Sequence, residues 1–269
     1  MYTVLHIAAD TVDDVFFHSA LPPFLGFSMA GRCRQYTFGE VRMAVFVIGD
    51  LHLSLGGNKP MDIFEGWEGY LPRLETNWRN LVHPEDTVIL AGDTSWAMKL
   101  EDTFADFAYL QGLPGQKWLL KGNHDYWWTT ARKMERYLAE NGFDTLHILH
   151  NNCCVVGNLA LCGTRGWPFD DSAAQDAKIM AREAGRLRMS LACAGEREKI
   201  AFLHYPPVFP GGCAQPLVDV LHEFGVTSCF YGHLHGKSIR GAIQREVNGI
   251  RYRLISADGL RFCPYKICD

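Results

Sequence analysis

Short apolar runs recur along the chain, and each gives way to a polar residue able to bind a metal. Ala44-Val45-Phe46-Val47-Ile48 leads into Asp50, and Thr87-Val88-Ile89-Leu90-Ala91 leads into Asp93. Lys117-Trp118-Leu119-Leu120-Lys121 leads into Asn123, Lys199-Ile200-Ala201-Phe202-Leu203 into His204, and Ser228-Cys229-Phe230-Tyr231 into His233. Runs this short and this rich in β-formers predict strands covered on both faces. Between them the apolar period lengthens to three and four. Phe64, Trp67, Leu71, Leu74 and Trp78 predict a helix over 61–82,. Further helices are predicted over 100–110 and 127–141, the latter stopped by Gly142,. Short strands at 145–149, 153–156 and 159–162 follow, then helices over 176–194 and 216–224,. Segments 242–247 and 250–255 flank Asn248-Gly249, a two-residue hairpin signal,. Two α/β halves joined by antiparallel strands predict stacked sheets with helices outside.

Residues 1–42 lack this patterning, and Pro22-Pro23 breaks their only apolar patch. Met43 stands directly before the first strand. Two readings stay open: an N-terminal extension packed on the surface, or a non-native leader upstream of a true start at Met43. Residues 43–269 read as one domain, because the polar strand-end motifs run from 50 to 235 without a linker-like break.

With 269 residues and 48% hydrophobic content, the chain can bury a sizeable core,. The net charge of -4 gives no general attraction to nucleic acid or to an anionic membrane, although a local basic groove stays compatible with it,. No apolar stretch approaches the ~18 residues of a membrane span, and no signal peptide is legible at the start. Nine scattered cysteines, without a C-x-x-C pair, predict reduced thiols and a cytoplasmic location,.

The strand-end motifs carry the chemistry. They are Gly-Asp-Leu-His at 49–52, Gly-Asp at 92–93, Gly-Asn-His-Asp at 122–125, His204 and Gly-His-Leu-His at 232–235. Together they offer two aspartates, one asparagine and four histidines as ligands, with His124 left over. Ligands at the carboxyl ends of parallel strands converge on one crevice. Such a set suits two adjacent divalent ions holding a phosphate ester. Mixed imidazole and carboxylate donors favour Mn, Fe, Co, Ni or Zn over Mg or Ca.

The order D-x-H, G-D, G-N-H-[D/E], H, G-H-x-H resembles the calcineurin-like metallophosphoesterase superfamily. That resemblance spans residues 50–235 and implies a four-layer α/β/β/α sandwich of two mixed sheets flanked by helices. It implies that Asp50, His52, Asp93 and His235 hold one ion, that Asp93, Asn123, His204 and His233 hold the other, and that Asp93 bridges both. In such a centre a metal-bridging hydroxide attacks phosphorus in line. The resemblance makes His124 the residue that stabilises the transition state or protonates the leaving group, with Asp125 holding its imidazole. Residues 43–269 would then be the catalytic domain.

Departures from the family's better-known branches narrow the reading. Thr94-Ser95-Trp96 after Asp93 replaces the Arg-Gly of protein phosphatases. Trp96 stands where purple acid phosphatases place a tyrosine ligand. His124 stands where the lipid A pathway enzymes usually carry arginine. What is left resembles a small bacterial phosphohydrolase acting on a phosphomonoester or phosphodiester. A nuclease or cyclic-nucleotide phosphodiesterase would use the same site. A non-catalytic scaffold would be expected to lack ligands or His124, and all are present.

Outside the motifs, Arg165 lies in a glycine-flanked loop after a strand, as a phosphate clamp would; a surface salt bridge is the competing reading. Trp96, Trp127 and Trp128 would be either an aromatic wall beside the site or core residues, and the tendency of aromatics to bury favours the core. Lys178, Arg182, Arg186 and Arg188 read as a solvated basic helix face.

Overall fold

A computed structural model describes residues 43–168 and 174–268. The two readings of residues 1–42 lie outside the described residues. The first half gives β1 (Val45–Ile48), α1 (Tyr70–Leu81), β2 (Thr87–Leu90), α2 (Phe104–Gln111), β3 (Gln116–Leu119), α3 (Ala131–Glu140) and β4 (Leu146–Ile148). Next come β5 (Cys153–Val156), β6 (Leu159–Thr164), α4 (Ala174–Ala192), β7 (Glu198–Leu203), the small hairpin β8 (Val208–Phe209) and β9 (Gly212–Cys213), and α5 (Gln215–Glu223). The chain closes with β10 (Ser228–Tyr231), β11 (Glu246–Val247), β12 (Ile250–Leu254) and β13 (Tyr265–Cys268).

The strands form two mixed sheets, ordered β13-β1-β2-β3-β4 and β11-β12-β10-β7-β6-β5. The first is parallel except for β13, which runs antiparallel on its β1 edge, and the second is parallel inside with antiparallel edges, β11 on β12 and β5 on β6. Strand period explains the layering, since successive side chains point to opposite faces. Along β1, Phe46 and Ile48 join the core under α1, α2 and α3, while Val45 and Val47 face the second sheet. Along β7, Ile200 and Phe202 face the first sheet, while Ala201 and Leu203 pack under α4 and α5. Three cores between four layers make an α/β/β/α sandwich, as expected. At its carboxyl edge the two sheets touch. Gly49 N–H donates to Ile255 O at 2.8 Å, and Ala257 N–H donates to Gly49 O at 3.0 Å. That contact brings the end of β1 to the second sheet's motifs.

Several boundaries differ from the sequence pattern, each for a local reason. The helix expected from residue 61 begins at Tyr70. Pro72 lacks an N–H and fits only a first turn, and Gly66 and Gly69 sit at φ 85° and 57° just upstream,. The helix expected from 127 begins at Ala131, because Thr130 is extended and Trp127 is drawn back onto Asp125. Residues 100–103 form a 3₁₀ turn ahead of α2. Of the segment 242–247 only β11 pairs, around an Asn248-Gly249 turn whose φ values of 49° and 79° suit a primed hairpin,. β13 carried no clear signal. Among the described residues no helix is long and apolar enough to cross a membrane.

Candidate metal and active centre

The backbone at the motifs is strained. Asp50, His52, Asp93 and His233 have φ of 59°, 47°, 49° and 74°, a region non-glycine residues rarely occupy,. The turns aim their side chains back over the sheet edge. Two glycines act by absence of volume. A Cβ on Gly122 would overlap Asp93 Oδ1, and one on Gly232 would overlap Asp50 Oδ2. Each glycine therefore admits a carboxylate from a different motif.

All seven expected ligands converge. Ligand atoms of Asp50, His52 and His235 lie within 4.8 Å of one another, and so do those of Asp50, Asp93 and His204. Asn123 Oδ1 lies 2.7 Å from His204 Nε2 and 2.9 Å from His233 Nδ1. Asp93 links the halves. Its Oδ1 accepts the His124 N–H at 2.7 Å. Its Oδ2 lies 3.8 Å from His52 Nε2 and 3.5 Å from His204 Nε2. His235 turns Nε2 inward, 3.5 Å from Asp50 Oδ1, and pairs Nδ1 with Asp258 Oδ1 at 3.0 Å.

The electrostatics suit cations. Burial, then Asp125 and Asp50, push Asp93 up to about 9. Burial pulls His52 down to about 3 and His204 to about 4, leaving imidazoles whose lone pairs are available. Burial opposes the charged form of His235, but Asp258 and Asp50 outweigh it and raise the group to about 10. Two buried carboxylates thus crowd each other with no lysine or arginine between them among the described residues, and His52 Nδ1 is buried without a hydrogen bond. Divalent ions fit this donor set: they relieve the carboxylate repulsion and use the neutral imidazoles.

His124 stands at the rim, its ring 5.7 Å from that of His52 and 4.4 Å from that of Trp96. Burial, then the nearby Lys59, lower its pKa. The expectation that Asp125 holds the His124 imidazole is corrected by the geometry. Asp125 is buried, and its carboxylate accepts from the backbone N–H groups of Asp93, Thr94, Ser95 and Gly122 and from Trp127 Nε1, at 2.7–3.3 Å. None of these donors is on His124, whose Nδ1 instead lies 3.4 Å from Tyr126 Oη. Asp125 clamps the loop after β2 to the loop after β3. It positions the ligand loops, because a carboxylate ringed by five donors has no orientation left for an imidazole.

Arg165 fits neither of its two expectations in full. Its side chain is only 19% exposed and faces the buried Glu183 at 3.7 Å, with the guanidinium 4.7 Å above Trp167. Its carbonyl accepts the N–H groups of His204 and Tyr205, which sets the loop beside the metal motifs. The tryptophans divide. Trp127 is core, as the tendency to bury predicts. Trp128 packs against the same core and approaches His150. Trp96 is half-buried and stacks on His52 at 4.8 Å, with Lys59 Nζ 4.6 Å over its ring, so it is a wall of the site. On the basic face of α4, Arg186 and Arg188 are ion-paired with Glu183 and Glu223.

Sequence reasoning missed Asp258, Trp67 and Tyr205. Trp67 stands 5.9 Å from both His52 and His235, and Tyr205 lies 4.4 Å from His233. Asp258 had a usable signal: it follows β12 in Ser-Ala-Asp-Gly, the same strand-then-carboxylate pattern as the other motifs.

Buried carboxylates and neutral imidazoles gathered where two sheets meet define a metal-dependent enzyme that hydrolyses phosphate esters. A family model described as calcineurin-like phosphoesterase matches residues 43–237, and the chain belongs to that family. The fold resembles that of phosphopantetheinyl hydrolase from Mycobacterium tuberculosis, with 14% identity, 84% of this chain and 96% of that chain covered, and a TM-score of 0.53. It also resembles the protein TT1561 of Thermus thermophilus, with 11% identity, 84% and 98% covered, and a TM-score of 0.51. No protein of curated function matches the sequence significantly.

Proposed function

We propose that the protein hydrolyses a small phosphomonoester or phosphodiester at a dinuclear centre of Mn, Fe, Co, Ni or Zn. The observation that carries this reading is the Asp93 carboxylate: one oxygen is held by the His124 N–H and the other faces histidines of both ligand groups. Asp50, His52, Asp93 and His235 would hold one ion. Asp93, Asn123, His204 and His233 would hold the other. Bound divalent ions supply neutralisation of phosphoryl oxygens and acidification of a water molecule. The chain's own residues do the rest. Asp258 accepts from His235 Nδ1 and so turns Nε2 inward toward Asp50,. Trp67 and Trp96 flank His52 and limit water around the ligands. His124, at the rim and outside the ligand cluster, supplies a proton to the leaving oxygen. Arg165, held by Glu183 and Trp167, would meet a phosphoryl oxygen on the His204 side.

The test is a hydrolysis panel with Mn-loaded protein: p-nitrophenyl phosphate, its bis ester and cyclic nucleotides, alongside metal analysis. Turnover of the first two with two ions per chain supports the reading. Turnover of cyclic nucleotides alone, or of single-stranded DNA added to the same panel, moves it to the phosphodiesterase or nuclease alternative. Two bound ions without turnover of any substrate leave a scaffold.

A further inference from the structure

A cavity of about 330 Å³ opens at one side of the sandwich, between the β11–β12 edge of one sheet and β13 of the other. Arg245, Arg251 and Arg253 line it with Phe230 and Tyr265, and Glu246 is the one acidic residue in its lining among the described residues. Arg251 and Arg253 alternate along β12 on the face that continues to Ile255, a residue of the core between the sheets. Cations therefore occupy a row whose next position is apolar core.

Arg253 is half-buried and Arg245 and Arg251 are exposed. Among the described residues none of the three is ion-paired, although Glu246 lies opposite Arg251 across the strand pair. Arg253 Nε is buried with no hydrogen-bond partner. The Arg253 guanidinium lies 3.9 Å over the Tyr265 ring, which fixes its plane,. A buried N–H without an acceptor is costly, and natural proteins rarely leave one unless a ligand or water completes it. Three guanidinium forks, set against one carboxylate, match the oxygens of phosphoryl groups in charge and geometry. The volume falls at the lower end of small-molecule sites, larger than one phosphate needs.

We infer that this cavity is a second ligand site, separate from the metal centre, for a small molecule carrying a di- or triphosphate group. Arg251 and Arg253 grip the phosphoryl oxygens, Arg245 closes over them from the loop before β11, and Phe230 walls the inner side.

The test uses the full chain and inorganic tripolyphosphate, with citrate as a trivalent carboxylate for comparison. Phenylglyoxal labelling, read by peptide mass spectrometry, locates the ligand without any mutation. Tripolyphosphate is expected to protect Arg245, Arg251 and Arg253 at least about fivefold, and citrate to protect them less. Calorimetry on the Arg251→Gln/Arg253→Gln double variant should show that binding class weakened at least tenfold, with p-nitrophenyl phosphate turnover unchanged. The inference is overturned if labelling of the three arginines is indifferent to tripolyphosphate, if citrate protects them equally well, or if the double variant keeps wild-type affinity. Failure of the hydrolysis panel leaves this labelling result untouched, so the two readings fail separately.

Discussion

At the scale of single residues, Asp93, His124 and Asp125 have distinguishable jobs although they sit together in two adjoining loops. Asp93→Asn removes charge from the oxygen that faces both histidine groups. It should lower bound metal below one ion per chain together with activity; a variant that kept two ions and full turnover would refute the bridging role. His124→Ala should cost about 10²–10⁴ in rate, the usual scale for proton transfer, while metal content stays near that of the wild type. Loss of metal in that variant would instead make His124 a ligand. Asp125→Ala is expected to act through the loops. It strands several buried N–H donors, each worth about 1–3 kcal/mol when left unpaired, so a lowered melting temperature and lost metal should appear together,. If Asp125→Ala instead kept its stability and altered only the pH profile of turnover, the imidazole-holding role would return.

At the scale of elements, the strands end and the site begins within four residues, so small changes at strand ends should reach the metals without touching the core. Gly122→Ala is the sharpest case, because the new methyl would overlap Asp93 Oδ1. Metal affinity should fall while the far-ultraviolet spectrum keeps its helix and strand content; unchanged metal binding would show that the loop after β3 gives way freely. On the opposite end of β3, Lys117 is fully buried and its Nζ donates to Leu113 O and Gly115 O at 2.7 and 2.8 Å. It closes the turn between α2 and β3. Lys117→Met should cost about 1.5–3 kcal/mol per such charged hydrogen bond in chemical denaturation, without changing metal content.

At the scale of the whole molecule, ligands from five loops and two sheets meet at one edge, so folding and metal binding are linked. Chelation should lower the melting temperature, by an amount equivalent to about 2.7 kcal/mol when the free ion was at one hundred times its dissociation constant. Equal melting curves with and without chelator would mean that the centre binds metal weakly. A chain begun at Met43 is proposed to fold and turn over substrate like the longer one, since every expected ligand lies at or after Asp50; an insoluble or inactive product would place part of the core within residues 1–42.

The amino-acid pattern alone made the central strands, the polar motifs at their ends and the layered class of fold legible. Both signals are local: a two-faced buried strand must read as a continuous apolar run, and a polar residue directly after it can only stand at the sheet edge. Asp50 and His233 were legible for that reason. Tertiary structure decided the rest, because it depends on which segments meet. Helix starts at Tyr70 and Ala131 were set by Pro72, by the glycines at 66 and 69, and by the pull of Asp125 on Trp127, which override an apolar period that continues past them. That Asp125 grips backbone rather than His124 follows from the loop after β2 folding across it, a contact between residues 30 or more positions apart. Asp258 meets His235 only once β12 lies beside β10 in one sheet, and Trp96 meets His52 only once β2 lies beside β1 in the other. The arginine-lined cavity likewise needs β12 and β13 from different sheets side by side, so charges scattered along the chain became a single site through packing.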